Sequence, residues 1–448
     1  MVLEPSSRLA AALLAVGVLS LAPAVRGETA HVAPVRQLLA DPGALARWLA
    51  GRSPDVAAAR ARSEQVAAEL AASRLLPNPQ LSFSLGTVTA GTTNPPGLGF
   101  GDTANYTVGL SQPLDLSKRG PRIDAAMARH ASSMEEGVDG LVQRVAEARQ
   151  VLGRLVHLAA RERLLGESLA SARQVVSIER TRLDQGYISG NDFDRLNLDT
   201  MGIEADLARA QAETEAVRGS CRATLAAVSC PVTGTQAEDL DLAASVPASA
   251  SAEGGSAFLD RRPDLRAVAQ AREAARWDAL LARRRAVPDP TLTVGFTRDQ
   301  LTVAGNQANS FFFGLALTLP VFDRGQHDAA RAHGRQRELE AAADALRHRA
   351  VADLEGLTRR SALLERTLDR LLRQAVPRSA GVLATTLTAF RRGQVSLTDL
   401  LLARRAHLAL RLNTMDLRFD LFTARSELRR VLGLDASLAR QALARKGP

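Results

Sequence analysis

The chain has 448 residues, a formal net charge of +9 carried almost wholly by arginine, and only 4% aromatic residues. Ala, Leu and Arg dominate, a composition that suits long helices better than a large globular core. The arginines are interspersed with Glu and Asp along helical heptads rather than gathered with aromatics into a stripe, which excludes nucleic acid as a partner; Lys118 and Lys446 are the sole lysines.

At the N-terminus, Arg8 provides a basic flank, Leu9 to Leu21 an apolar core, and Ala22-Pro23-Ala24 a cleavage region, the pattern of a secretory signal peptide over residues 1–27. That apolar run is too short to span a membrane as a helix, and no other stretch approaches ~20 consecutive apolar residues. No cysteine lies near the cleavage region to be lipidated. The mature protein is therefore read as exported and without a transmembrane helix. Residues 28–51 read as mixed and partly irregular. A helix is predicted from Pro54 to Leu76, with Asp55 in its first turn favouring the dipole, and Pro77 and Pro79 ending it.

Leu76 to Arg122 then returns about two hundred residues later. LPNPQLSFSLG is matched by VPDPTLTVGFT, and YTVGLSQPLDLSKRGPR by FFFGLALTLPVFDRGQ, so that Pro77 and Pro79 pair with Pro288 and Pro290, Pro113 with Pro320, and Arg119-Gly120 with Arg324-Gly325. One unit used twice is the economical reading. Within each copy apolar residues alternate with polar or small ones: Leu81, Phe83 and Leu85; Tyr106, Val108 and Leu110; Leu292, Val294 and Phe296; Phe311, Phe313, Leu315, Leu317 and Leu319. Period two predicts four strands with one apolar face, interrupted on the polar side by Phe312. Locally this could be a half-buried soluble hairpin. The run length near ~10 residues, the concentration of scarce aromatics here, and the long Gly-, Asn- and Thr-rich loops favour membrane strands. Four strands cannot close a barrel and open edges are not tolerated in lipid, so membrane strands would require an obligate oligomer.

Long helices follow each strand pair. Val138, Leu141, Val145, Ala148, Leu152 and Leu155 form a heptad seam in the first half, as do Leu339, Ala343, Leu346 and Ala350 in the second. The first helical signal, from Arg122 to Gln185, would measure roughly 95 Å, long enough for a rod or a wall of antiparallel coiled coils. Pro377 predicts a local kink in the second half. Each long helix meets a break with the spacing Gly-x-x-Ser-x-x-Asp: Gly186, Ser189 and Asp192 in the first, Gly393, Ser396 and Asp399 in the second. Gly suits the end of the incoming helix and Ser the N-cap of the outgoing one. Returning helices run to about Val228 and Leu432.

Cys221 and Cys230 flank the end of the first returning helix; they could form a short-loop disulfide in an oxidising compartment, or Cys221 could simply continue an apolar helix face. The domain reading is residues 1–27 signal peptide, 28–232 first repeat, 233–260 crossover linker, 261–433 second repeat, and 434–448 a fraying C-terminal tail. No P-loop, dinucleotide fingerprint, HExxH motif or nucleophile elbow occurs, and the seven histidines lack ligand spacing, so no enzyme, no cofactor and no metal site is expected. His157 and His407 read as packing or surface positions on helices.

Together the export signal, the repeated strand pairs, the segments QPLDLSKRG and LTLPVFDRGQ, and the Gly-x-x-Ser-x-x-Asp breaks resemble the TolC family of outer-membrane efflux channels. The QPLDLSKRG and LPVFDRG forms resemble its CzcC/CusC heavy-metal efflux branch. The resemblance covers nearly the whole mature chain. It implies an α+β membrane protein: a homotrimer whose pooled strands make a twelve-stranded outer-membrane β-barrel, continued into the periplasm by coiled-coil helices forming an α-barrel. It places the breaks at the periplasmic tip, where Gly186, Ser189, Gly393 and Ser396 match adaptor contacts and Asp399 matches an acid of the pore constriction. The second acid of that family motif is absent, Leu402 standing in its place, so Asp192 and Asp194 are the remaining candidates. An inner-membrane pump and a periplasmic adaptor are the implied partners. Alternatives are a type I secretion or drug-efflux channel and, from another class, an exported coiled-coil adaptor with soluble hairpins.

Overall fold

Residues 35–93, 96–227, 229–232, 234–243, 246, 256–301 and 307–444 are described in the computed structural model. The signal-peptide segment 1–27 and much of the crossover linker lie outside them. Elements follow in the order α1 (Val35–Ala40), α2 (Pro42–Arg52), α3 (Pro54–Ser73), β1 (Gln80–Gly86), α4 (Phe100–Thr103), β2 (Asn105–Pro113), α5 (Arg119–Asp184), α6 (Gly190–Leu225) and α7 (Asp239–Ala243). A 3-10 turn (Ser256–Arg261) leads to α8 (Pro263–Arg284), β3 (Pro290–Asp299), β4 (Asn309–Leu317), α9 (Gln326–Arg370), α10 (Val376–Arg391), α11 (Leu397–Val431) and α12 (Ala436–Ala444).

The strands form one antiparallel sheet in the order β1-β2-β3-β4. Register places Leu81 opposite Leu110, Leu110 opposite Val294 and Val294 opposite Phe313, and Phe83 opposite Val108, Val108 opposite Phe296 and Phe296 opposite Phe311. All the alternating apolar residues therefore share one face. That face is uncovered: Phe313 is 84% exposed, Phe311 77% and Leu81 76%. The opposite face carries mainly Ser, Thr, Gly and Ala, with Phe312 its one large apolar residue. Its ring lies across Gly295, where an added Cβ would sit 2.3 Å from Phe312 Cζ and 2.7 Å from the Val108 carbonyl oxygen. A bulky ring is thus accommodated on the small-residue face because its cross-strand partner has no side chain. Among the described residues the outer edges of β1 and β4 have no partner strand.

The 66 residues of α5 make a helix of about 99 Å. It runs alongside α6 and α8, while α9 and α10 run alongside α11. The predicted seam is the one that packs: Val138, Leu141, Val145, Ala148, Leu152 and Leu155 are all buried. Pro377 is absorbed by a five-residue π-helical turn, Leu371–Ala375, and then stands in the first turn of α10, where its missing N–H leaves no bond unmade.

Two segments differ from expectation. Residues 28–51, read as partly irregular, contain α1 and α2. Asp41 caps α2 by accepting from the Gly43 N–H at 2.8 Å, and Leu38, Leu39, Leu45 and Leu49 are buried. The stretch after Leu434, read as fraying, forms α12, whose Ala436, Ala439 and Ala442 bury against α2 and α5. Both segments are too short to display a periodic signal, and both are held by tertiary packing rather than by their own helix propensity. With α7 they wrap the middle of α5, and that is where the principal core sits. Within it Arg149, 1% exposed, donates to the carbonyls of Leu39 (3.4 Å) and Ala243 (2.5 Å), tying the N-terminal and crossover segments to α5. Cys221 and Cys230 are joined by a disulfide, with Cα atoms 6.4 Å apart, at the edge of this core.

Candidate functional site

The two interhelical turns have the same internal chemistry. In the first, the Gly186 N–H donates to Leu183 O (2.9 Å) and the Tyr187 N–H to Arg182 O (2.8 Å). In the second, the Gly393 N–H donates to Phe390 O and the Gln394 N–H to Ala389 O, both at 2.9 Å. These are paired Schellman closures, and each needs its glycine because φ is +78° at Gly186 and +73° at Gly393. Ser189 and Ser396 then cap the outgoing helices. The Asp192 N–H donates to Ser189 Oγ at 3.0 Å, and the Asp399 N–H to Ser396 Oγ at 3.2 Å.

The aspartates reciprocate. Ser189 Oγ donates to Asp192 Oδ2 at 2.8 Å, Ser396 Oγ to Asp399 Oδ2 at 2.7 Å, and the Ser396 N–H to the same Asp399 oxygen at 3.1 Å. The Ser396 hydrogen bonds, the side-chain one foremost, hold the Asp399 carboxyl below its ordinary pKa although it is exposed. Asp399 thus stays ionised while completing a capping box. Asp194 is exposed and among the described residues has no hydrogen bond or ion pair, and Leu402 is 61% exposed. Among the described residues no hydrogen bond or ion pair joins Asp192 or Asp194 to Asp399.

Above the turns, the two helical hairpins of the chain are tied by contacts that sequence reasoning missed. Arg405 Nε on α11 pairs with Asp199 Oδ1 on α6 at 2.5 Å, with the Asp199 side chain almost fully buried. Arg404 Nη2 donates to the Ser168 carbonyl on α5 at 3.5 Å. Arg182, one turn before Gly186, lies 5.8 Å from the Phe390 ring and bonds Glu179, which is 2% exposed. In sequence these residues look like any charges on a solvated helix face; only the partner helix distinguishes them. His157 and His407 lie against neighbouring helices. His157 is buried 3.3 Å from Asp416, and the His407 Nδ1 stands 2.8 Å from Ser379 Oγ.

Among the described residues no cluster of His, Cys, Asp or Glu is placed to hold a metal ion, and no helix is long and apolar enough to cross a membrane. The described features are an apolar sheet face at one end of the helices and capped, acid-bearing turns at the other.

A family profile described as outer membrane efflux protein matches residues 45–229 and 255–434. The nickel-cobalt-cadmium resistance protein NccC of Alcaligenes xylosoxydans xylosoxydans is 24% identical over 247 residues, 55% of this chain and 54% of that protein. The chain is thus matched to about half the length of that curated relative. The crystal structure of CusC superposes with a TM-score of 0.70 at 18% identity, covering 89% of this chain and 91% of CusC. The CmeC outer membrane channel of Campylobacter jejuni gives 0.72 at 16% identity, covering 96% and 94%. At these identities the structures establish a shared fold.

Proposed function

Because the chain belongs to the outer membrane efflux protein family, we propose that it is the outer-membrane channel of a tripartite efflux system. Three copies pool their sheets into a twelve-stranded barrel, and their long helices continue it as a periplasmic tunnel. The single observation that carries this reading is the sheet. It is apolar and uncovered on one face, small and polar on the other, and unpaired at both edges. In lipid each exposed Leu or Phe is in its preferred medium. The unmet backbone groups of β1 and β4 are satisfied only if β4 of one copy pairs with β1 of the next.

The helical turns form the periplasmic tip. Gly186, Ser189, Gly393 and Ser396 hold the rigid surfaces on which an adaptor protein docks. Asp192, Asp194 and Asp399, repeated around the trimer axis, give the entrance a negative potential in which cations dwell. Conduction is passive, and energy comes from an inner-membrane pump reached through the adaptor. The name of NccC supports heavy-metal cations as cargo.

Planar-bilayer conductance of the detergent-extracted protein tests this. Cation-selective channels are expected, with selectivity reduced in Asp194→Asn and in Asp399→Asn. Asp194→Asn is the cleaner variant because it touches no helix cap. Absence of conductance from correctly inserted trimers would contradict the channel reading, and unchanged selectivity in both variants would remove the acidic entrance from it.

A further inference from the structure

The geometry points to a phospholipid-headgroup site at the seam between copies, where the edge strands give way to helices on the periplasmic side of the sheet. It rests on the trimeric channel reading above, since that reading brings β4 of one copy beside β1 of the next. The apolar band does not stop with the strands. After β4 the chain leaves the sheet at Pro320, yet Leu319 is 71% exposed and Phe322 93%. Before β1, Leu75 and Leu76 are likewise exposed. These side chains are largely open to solvent in the single chain, where an apolar surface is unfavourable.

Each of these apolar pairs has an arginine beside it: Arg74 precedes Leu75, and Arg324 follows Phe322 by two residues. Both arginines are exposed, and neither side chain has an ion pair or hydrogen bond among the described residues. Several carboxylates at this level are engaged elsewhere. Asp115 bonds Arg122 at 2.9 Å and Asp289 bonds Lys118 at 2.6 Å, while Asp323 accepts from the Gly325 N–H at 2.8 Å and Asp328 pairs with Arg285 and Arg331.

When β4 pairs with a neighbour's β1, Arg324 of one copy and Arg74 of the next approach the same seam. Two like charges converge there, and among the described residues neither is paired with a carboxylate. The missing component is an anion with an apolar body, and a phospholipid supplies both. Its phosphate is held by two guanidinium forks, whose planar donors suit phosphate oxygens, and its acyl chains lie along Phe322, Leu319 and Leu76. A protein partner would need an acidic, lipid-embedded surface to do the same.

The test uses the detergent-purified full chain. Native mass spectrometry counts retained lipid, and thermal stability is followed while phosphatidylglycerol, monoolein or inorganic phosphate is added. Phosphatidylglycerol is expected to bind and stabilise the wild-type trimer. Apparent affinity should fall about thirtyfold in Arg74→Gln/Arg324→Gln, given the usual contribution of each basic residue near an anionic lipid surface. Phe322→Ser should weaken lipid binding with the arginines intact. Equal binding by the double variant overturns the site, as does an equal shift with inorganic phosphate or monoolein. A conducting trimer that binds no phosphatidylglycerol overturns the lipid site alone and leaves the channel standing. A carbonate-extracted monomer overturns both.

Discussion

At Gly295 a single hydrogen atom decides whether the sheet can close around Phe312. An added methyl would meet the Phe312 ring, which can rotate, and the Val108 carbonyl, which cannot. Gly295→Ala is therefore expected to cost about 1–3 kcal/mol, and Phe312→Ala should rescue it only in part. Thermal denaturation of the detergent-solubilised variants checks this, and full rescue would contradict it. Asp139 provides a second residue-scale test. Burial first, and the neighbouring Asp264 carboxylate second, raise its pKa to about 6 from an ordinary 3.8. The folded state thus holds the proton more tightly than the unfolded chain. This contribution to stability falls as pH rises from about 4 to about 6 and remains unfavourable above. Asp139→Asn should raise stability at pH 7.5 by roughly 1–2 kcal/mol and leave it little changed at pH 4. A lower melting temperature at pH 7.5 would count against the assignment.

At the scale of elements, the turns behave as self-contained units: a Schellman closure, a short link and a serine cap joined to an aspartate three residues on. Ser396→Ala removes that cap and is expected to destabilise the start of α11 by about 1 kcal/mol. Limited proteolysis should show faster cutting around residues 391–397 with an unaltered global melting temperature. Unchanged cutting would show that packing, not the cap, holds the turn. These turns were legible in sequence because glycine with positive φ and N-cap serine are local necessities. The strands were legible because period two needs no partner to be seen, and α5 because its seam repeats over many turns. By contrast, α1, α2 and α12 are brief, and their helicity depends on a core assembled from distant segments. The ties Arg405–Asp199 and Arg182–Phe390 were illegible for a related reason. A charge at a helical position reads as solvated until the neighbouring helix is placed beside it.

At the scale of the whole molecule, one face of a four-stranded sheet decides the account. Long helices and capped turns would serve an exported coiled-coil adaptor equally well. An uncovered apolar sheet with two unpaired edges would not, since in water it would be an aggregation site. Family membership and the fold shared with CusC and CmeC point the same way. In the proposed channel the apolar face meets lipid and the edges pair with further copies of the chain. The most direct test is the mass of the protein extracted from membranes that resist carbonate, measured by light scattering with the detergent contribution removed. A particle of three chains requiring detergent for release is the expected result. A monomer released by carbonate alone would contradict the shared barrel.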